Sequence, residues 1–310
     1  MFSNHRTHHL LIFGDAENMY ELKDESIHLV VTSPPYYNAP FDYPDLFSSY
    51  DEYLHKMKKV VKEIKRVLIN GRIVCLVCDD ILINSEKYPV VSDLTQIFLE
   101  EGFIYRDKII WLKPEGYVRI SRRSGVLLQH PYPMYFYPDN LQESILIFQK
   151  GKKFNYSSIP EIIKEASKID VKEYLENKWY LNVWNITNVL PTNNRLEEGI
   201  AAFPEELPYR LIKLFSYVGE TVLDPFMGSG TTNKISLMLG RNSVGYDIDK
   251  ELVNIVKEKL GINKNCLFEK NYEIEIIIRE DAKQLRSWLS NKVNKLLKNN
   301  GKGKTKKIIR

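Results

Sequence analysis

The stretch Val222-Leu-Asp-Pro-Phe-Met-Gly-Ser-Gly-Thr-Thr232 decides the fold. Its apolar start reads as a short buried strand, Gly228 and Gly230 make a turn in which the backbone can approach a ligand closely, and the threonines open a helix. Open α/β sheets bind their ligands at the carboxyl ends of strands, so a strand, glycine turn and helix in this order is a candidate cofactor cradle. A lone Gly-x-Gly is weak. It gains weight from Ser243-Val-Gly-Tyr-Asp247, a second strand whose last residue is an acid 19 positions after Gly228, the separation at which such folds place a carboxylate on ribose hydroxyls. A phosphate loop would need lysine before the hydroxyl residue, and Gly230-Thr231-Thr232 has none; a dinucleotide fingerprint would need a third glycine where Asn233 stands. A purely structural turn is the remaining alternative.

Working outward, short β-branched runs alternate with helical stretches, which argues for an α/β fold with a mostly parallel sheet. Seven strands are expected, at 10–13, 28–32, 73–77, 108–112, 144–148, 221–223 and 243–246. The spacing of Leu54, Met57, Val61, Ile64 and Leu68 predicts a helix over 51–68, with Ser49-Tyr-Asp-Glu52 as a capping box and Asn70-Gly71 as its stop. Further helices are expected at 93–101, 204–218, 232–239 and 250–260, Pro208 weakening the early turns of the 204–218 helix. The strands at 108–112 and 144–148 read as an open antiparallel hairpin, and the long loop between them, 114–143, as a functional element. From 151 to 200 the hydrophobic pattern weakens among lysines, asparagines and tryptophans, which reads as a small recognition module, although Trp179 and Trp184 fit a core equally well.

Composition narrows the class. A net charge of +4 is only mildly basic, so a nucleic-acid surface must come from local clusters such as Arg119-Ile-Ser-Arg-Arg123 and the acid-free basic tail at 291–310. Three cysteines cannot build a disulfide framework and point to a reducing cytoplasm; Cys75 and Cys78, three apart in an apolar strand, read as core thiols on opposite faces. His5, His8 and His9 read as a solvated terminal cluster, and no metal site is expected. No apolar run is long enough to suggest a membrane span or a leader.

The second chemical motif is Val30-Val-Thr-Ser-Pro-Pro-Tyr-Tyr37, again a buried strand that ends in a special turn. Consecutive prolines fix the backbone and remove its N–H donors, so carbonyls near Ser33 and Pro34 form a rigid set of acceptors beside the flat face of Tyr36. Acceptors next to a stacking ring suit an extruded base whose exocyclic amine must be held. A polyproline turn is the alternative reading for this motif alone.

Taken together, the two motifs resemble those of the amino-methylating DNA methyltransferases in their permuted β-group order, with the Ser-Pro-Pro-Tyr half ahead of the cofactor half. Gly14-Asp-Ala16, Trp111-Leu-Lys-Pro114, Glu143-Ser-Ile-Leu-Ile-Phe-Gln-Lys-Gly151 and Phe203-Pro-Glu-Glu-Leu207 extend the likeness over most of the chain. The resemblance implies a Rossmann-like fold that uses S-adenosyl-L-methionine, with residues 1–150 as the catalytic half, 201–290 as the cofactor half, and 151–200 and 291–310 as recognition module and tail. It also implies roles for single residues. Asp224, Pro225, Phe226, Gly228, Ser229, Gly230 and Thr231 would hold the methionine part of the cofactor, Asp224 facing its ammonium; Asp247 would take the ribose, Phe203 and Pro204 would close over it, and Asp15 would meet the adenine edge, with Arg279-Glu-Asp-Ala282 as a competing string. Ser33, Pro34, Pro35 and Tyr36 would form the base pocket, and Arg119, Arg122 and Arg123 would touch double-stranded DNA. Serine at position 33 is the family's mark for N4 of cytosine, with N6 of adenine and a non-catalytic nucleic-acid-binding relative as alternatives. The implied setting is a prokaryotic cytoplasm, in which the chain, as a monomer or homodimer, protects DNA against a companion restriction endonuclease acting on the same site.

Overall fold

The computed structural model describes residues 6–38, 46–83, 86–114, 125–151, 154–187, 203–262 and 271–287. In chain order its strands are β1 (Thr7–Phe13), β2 (Ile27–Thr32), β3 (Leu68–Cys78), β4 (Ile81–Ile83), β5 (Glu86–Tyr88), β6 (Phe103–Leu112), β7 (Gln142–Lys150), β8 (Val183–Asn185), β9 (Thr221–Asp224), β10 (Asn242–Asp247) and β11 (Tyr272–Ile278). The helices are α1 (Tyr50–Val67), α2 (Val90–Glu100), α3 (Gly125–Gln129), α4 (Glu161–Ala166), α5 (Val171–Glu176), α6 (Glu206–Phe215), α7 (Thr231–Met238) and α8 (Val253–Lys259).

The main sheet has nine strands in the order β11, β1, β10, β9, β2, β3, β7, β6, β8; β4 and β5 form a separate hairpin. Only β7 runs against its neighbours β3 and β6, and the other pairings in the sheet are parallel. The seven expected strands are present, with the expected antiparallel β6–β7 pair, but the sheet is larger than seven because β8 and β11 extend its two edges. β8 is only three residues long, too short for a period to show. In β11 the alternation of Tyr272-Glu-Ile-Glu-Ile276 is that of an edge strand, half-buried on one face.

α1 forms where its apolar spacing places it, burying Tyr53, Met57, Val60, Val61, Ile64 and Val67 on one face. Ser49 accepts from the Glu52 amide at 3.1 Å, while the Glu52 carboxylate accepts from the amide of Ser48 rather than of Ser49. The helix stops at Val67, three residues before the expected Asn70-Gly71, because Leu68 already pairs with Ile27 in the sheet. Gly71, at φ +85°, lies in the irregular stretch where the β2–β3 register shifts. In α6, which starts at Glu206, Pro208 falls in the first turn, where a missing N–H costs no helical bond.

Helices cover both faces. Val30, Val74 and Cys78 pack under α1 and α2 on one side, and Leu29, Val31 and Cys75 pack under α6 and α7 on the other, so the two buried free cysteines do face opposite ways. β1, β11 and α8 close a third cluster around Leu11, Phe13 and Val256. Trp184 and Trp179 are buried, their rings against the Arg210 guanidinium, and the Trp111 indole donates to the Ile186 carbonyl at 2.9 Å. Both tryptophans of the segment are therefore core residues that dock it on α6 and β6. His9, expected in solvent, is instead buried between Ser243 and Thr7 because β1 starts at Thr7 and carries it into the sheet; burial lowers its pKa to about 4. Among the described residues no helix is long and apolar enough to cross a membrane, and no cluster could hold a metal ion.

Candidate active site

β1, β10, β9 and β2 are consecutive neighbours and all parallel, so the turns that follow them emerge on one edge of the sheet. Leu29 and Val30 pair with Val222 and Leu223, which brings the Ser33-Pro-Pro-Tyr36 turn beside the glycine turn although some 190 residues separate them, as the Thr32–Asp224 bond shows. Between the turns lies a cleft of about 420 Å³, within the range of small-molecule sites. Ser33, Pro34, Pro35 and Tyr36 line it on one side, Pro225, Phe226, Gly228 and Asp247 on the other, and Asp15 at one end.

Backbone bonds shape the glycine turn. The Met227 amide donates to the Tyr246 carbonyl at 2.8 Å, and the Asp247 carboxylate accepts from the amides of Gly228 (2.9 Å) and Asp249 (2.8 Å). Gly230 sits at φ +83° as N-cap of α7, and a Cβ there would lie 3.0 Å from Val256 Cγ1. Asp224 is placed behind the cleft rather than in its wall. It is 1% exposed and accepts from Thr32 Oγ1 and Thr232 Oγ1 at 2.7 Å each and from the Phe226 amide at 3.1 Å, while burial pushes its pKa up to about 6. In this position it ties β9 to β2 and α7. Ser229 and Thr231 are likewise buried, their hydroxyls bonded to Lys259 Nζ at 2.8 and 2.7 Å. Phe203 and Pro204 are not among the residues lining the cleft, Phe203 packing on the apolar cluster beneath α6.

Asp15 follows β1 and carries the strongest local cation. Lys56 of α1 reaches its two oxygens at 2.6 and 2.8 Å and Glu17 at 3.1 Å. Burial would raise the Asp15 pKa, but the hydrogen bond and charge of Lys56 outweigh it and hold the carboxyl below its ordinary value. The competing string is adjacent in space, because β11 lies beside β1: Arg279 donates to the Asn18 carbonyl at 2.7 Å, and a Cβ on Gly14 would meet Arg279 Cδ at 2.4 Å. Asp15 lines the cleft, and Asp281 instead pairs with Arg279 at 2.8 Å. Sequence reasoning missed Glu52, His55, Lys56 and Lys59 of α1 and Lys283 after β11, all of which line the cleft. The first four fall on the polar side of a helix read only for its apolar stripe.

Tyr36 is anchored at both ends. Its backbone is held by Pro34 and Pro35, and its hydroxyl donates to the Glu143 carboxylate; burial and the nearby acids Glu143 and Asp79 push its pKa well above the ordinary tyrosine value. Asp79 accepts from Asn140 and is raised by burial to about 6. Arg119, Arg122 and Arg123 lie outside the described residues, as does the 291–310 tail.

The residues present fit S-adenosyl-L-methionine: carboxylates of Asp247 and Asp15 face the cleft for hydroxyl and amine donors, with Phe226, Ile248 and Leu252 as apolar walls between. The comparisons with known proteins agree. Type II methyltransferase M.MjaI of Methanocaldococcus jannaschii is 35% identical over 304 residues, covering 88% of this chain and 97% of that protein. Type II methyltransferase M.MthZI of Methanothermobacter thermautotrophicus is 30% identical over 309 residues, covering 90% and 85%. A DNA modification methylase from Thermus thermophilus, solved in complex with S-adenosyl-L-methionine, superposes with a TM-score of 0.67 at 25% identity over 87% of this chain and 98% of that one. The family model described as DNA methylase (N6_N4_Mtase) matches residues 27–258, so that both turns and the cleft between them fall inside the match, and the chain belongs to that family, with S-adenosyl-L-methionine as its cofactor.

Proposed function

We propose that this DNA methyltransferase acts on N4 of cytosine in double-stranded DNA, on a base turned out of the helix into the cleft, and serves as the modification enzyme of a prokaryotic restriction system. The observation that carries the reading is the Ser33-Pro-Pro-Tyr36 turn lining one wall of the cleft whose other wall holds Gly228 and Asp247. Serine rather than an acid or amide at position 33 supports cytosine, and the Type II methyltransferase relatives support the restriction setting.

S-adenosyl-L-methionine supplies an electrophilic methyl on a sulfonium sulfur. The chain does the rest. An exocyclic amine is a poor nucleophile because its lone pair is delocalised into the ring, so the site's work is alignment and hydrogen bonding rather than covalent catalysis. In this reading Ser33 Oγ and the Pro34 carbonyl accept the amine's two N–H bonds, which localises the lone pair, and Tyr36 stacks on the base. The nitrogen takes the methyl carbon as the carbon–sulfur bond breaks, and the proton it sheds leaves through the hydrogen bond to Ser33 Oγ. Asp247 holds the ribose, Asp15 the adenine edge and Phe226 an apolar face of the cofactor, while Asp224 fixes the floor beneath them. Arg119, Arg122 and Arg123 contact phosphates or guanine edges. The permuted order of the halves follows from Ser33 preceding Gly228 in the chain.

Nucleoside mass spectrometry of DNA from cells expressing the protein tests this directly: N4-methylcytosine is expected, and N6-methyladenine in its place rules the cytosine reading out. Adenine N6 is the second reading, since the matched family is named for both amines. Ser33→Ala and Tyr36→Ala should each cripple methyl transfer while leaving cofactor affinity, measured by calorimetry, unchanged.

A further inference from the structure

We propose that Glu143 is a positioning residue: clasped by Lys113, it holds the Tyr36 hydroxyl and thereby fixes the ring on which the target base is presented. The proposal rests on the reading of Tyr36 as the base platform and extends it to two residues that line no part of the cleft. A ring attached only through its Cβ turns about two side-chain torsions, and the prolines at 34 and 35 restrain neither. A bond at the far end, through the hydroxyl, restrains both. The acceptor is well placed for this: Glu143 stands at the start of β7, opposite Trp111 of β6, with a side chain only 12% exposed. In such surroundings a hydrogen bond to a carboxylate is stronger than one in water.

The clasp is itself held. Lys113 pairs with Glu143 and is 17% exposed, its amide donates to the Leu141 carbonyl at 2.8 Å, and its ammonium lies 4.9 Å from the centre of the Trp111 ring. Trp111 is fully buried, so the chain from Trp111 through Lys113 and Glu143 to Tyr36 roots the platform in the sheet. Asp79 is the other acid facing Tyr36, and Asn140 occupies its carboxylate.

The test uses Tyr36→Phe, Glu143→Gln, Glu143→Ala and the Tyr36→Phe/Glu143→Ala double variant of the full chain. For each, kcat and KM are measured for methyl incorporation into unmethylated genomic DNA, with cofactor affinity by calorimetry and melting temperature alongside. Tyr36→Phe and Glu143→Ala should each lower kcat by about tenfold to a hundredfold, the loss that follows a displacement of about 1 Å at a reacting group. The double variant should be no worse than either single one, since all three break the same contact. Glu143→Gln keeps an acceptor oxygen and should recover most of the rate; cofactor affinity should not move. Additive losses, a Glu143→Gln variant as poor as Glu143→Ala, or a full-rate Tyr36→Phe enzyme would overturn the proposal. The product of the wild-type protein is read separately, so N6-methyladenine would remove the cytosine assignment and leave this inference standing.

Discussion

At the scale of single residues, the cleft holds two carboxylates in different circumstances. Asp247 is satisfied by backbone amides of Gly228 and Asp249, so it shapes the glycine turn as well as facing the ligand. Asp247→Ala should therefore weaken cofactor binding by about 1.5–3 kcal/mol, the worth of a charged hydrogen bond, in calorimetry at neutral pH; an unchanged affinity would remove it from the site. Asp15 depends on a side chain, Lys56, with Lys59, Lys283 and Glu17 as its other charged neighbours. Lys56→Met leaves burial as the dominant influence on Asp15, and burial raises a carboxyl pKa. The expected outcome is a variant whose cofactor affinity falls as pH is lowered from neutrality, whereas the wild-type protein, with Asp15 held below its ordinary value, keeps its affinity over the same range. Parallel pH profiles for the two proteins would show that Lys56 does not govern Asp15.

Among the elements, β10 carries the glycine turn on its surface. Met227 docks on the Tyr246 carbonyl, and a Cβ on Gly245 would meet Met227 Sδ at 2.5 Å and Asn233 Oδ1 at 2.8 Å. Gly245→Ala should destabilise the fold by about 1–3 kcal/mol, as overpacking of a filled core does, and weaken the cofactor along with it; a melting temperature equal to that of the wild type would show the turn to be loosely seated. This region was readable in the sequence because its signals are local: a buried run, two glycines and an acid at a set distance. β2 with Ser33-Pro-Pro-Tyr36 was readable for the same reason, and α1 because apolar period and cap agree. The partners of those residues were not. Lys56 meets Asp15 only after α1 folds back along the sheet, and Glu143 meets Tyr36 only because β7 runs against β3, so nothing near either residue in the chain announces the pair. Asp224 shows the opposite failure. The motif names it as a ligand contact, yet the threonines that surround it, Thr32 from another strand and Thr232 from the helix, occupy its oxygens.

For the whole molecule, these buried acids set how stability responds to pH. Asp224 and Asp79 each have an ordinary value of 3.8 and are pushed by burial to about 6 in the fold. Between those values the folded chain keeps protons that the unfolded chain has released, so raising the pH through this window removes stability, and the loss is complete above it. Asp15 and Glu63, whose pKa values are lowered, act in the other sense, giving stability that is present at neutral pH and lost as acid protonates them. Asp224→Asn isolates the first effect, because an amide does not titrate while the Thr32 and Thr232 hydroxyls can reorient to serve it. Denaturant unfolding of wild type and variant from about pH 4 to about pH 7 should show the wild type losing ground to the variant as pH rises, then a constant difference beyond the window. A difference that stays constant throughout would mean that Asp224 titrates alike in the folded and unfolded chains, and its three hydrogen bonds would then have to offset its burial in full.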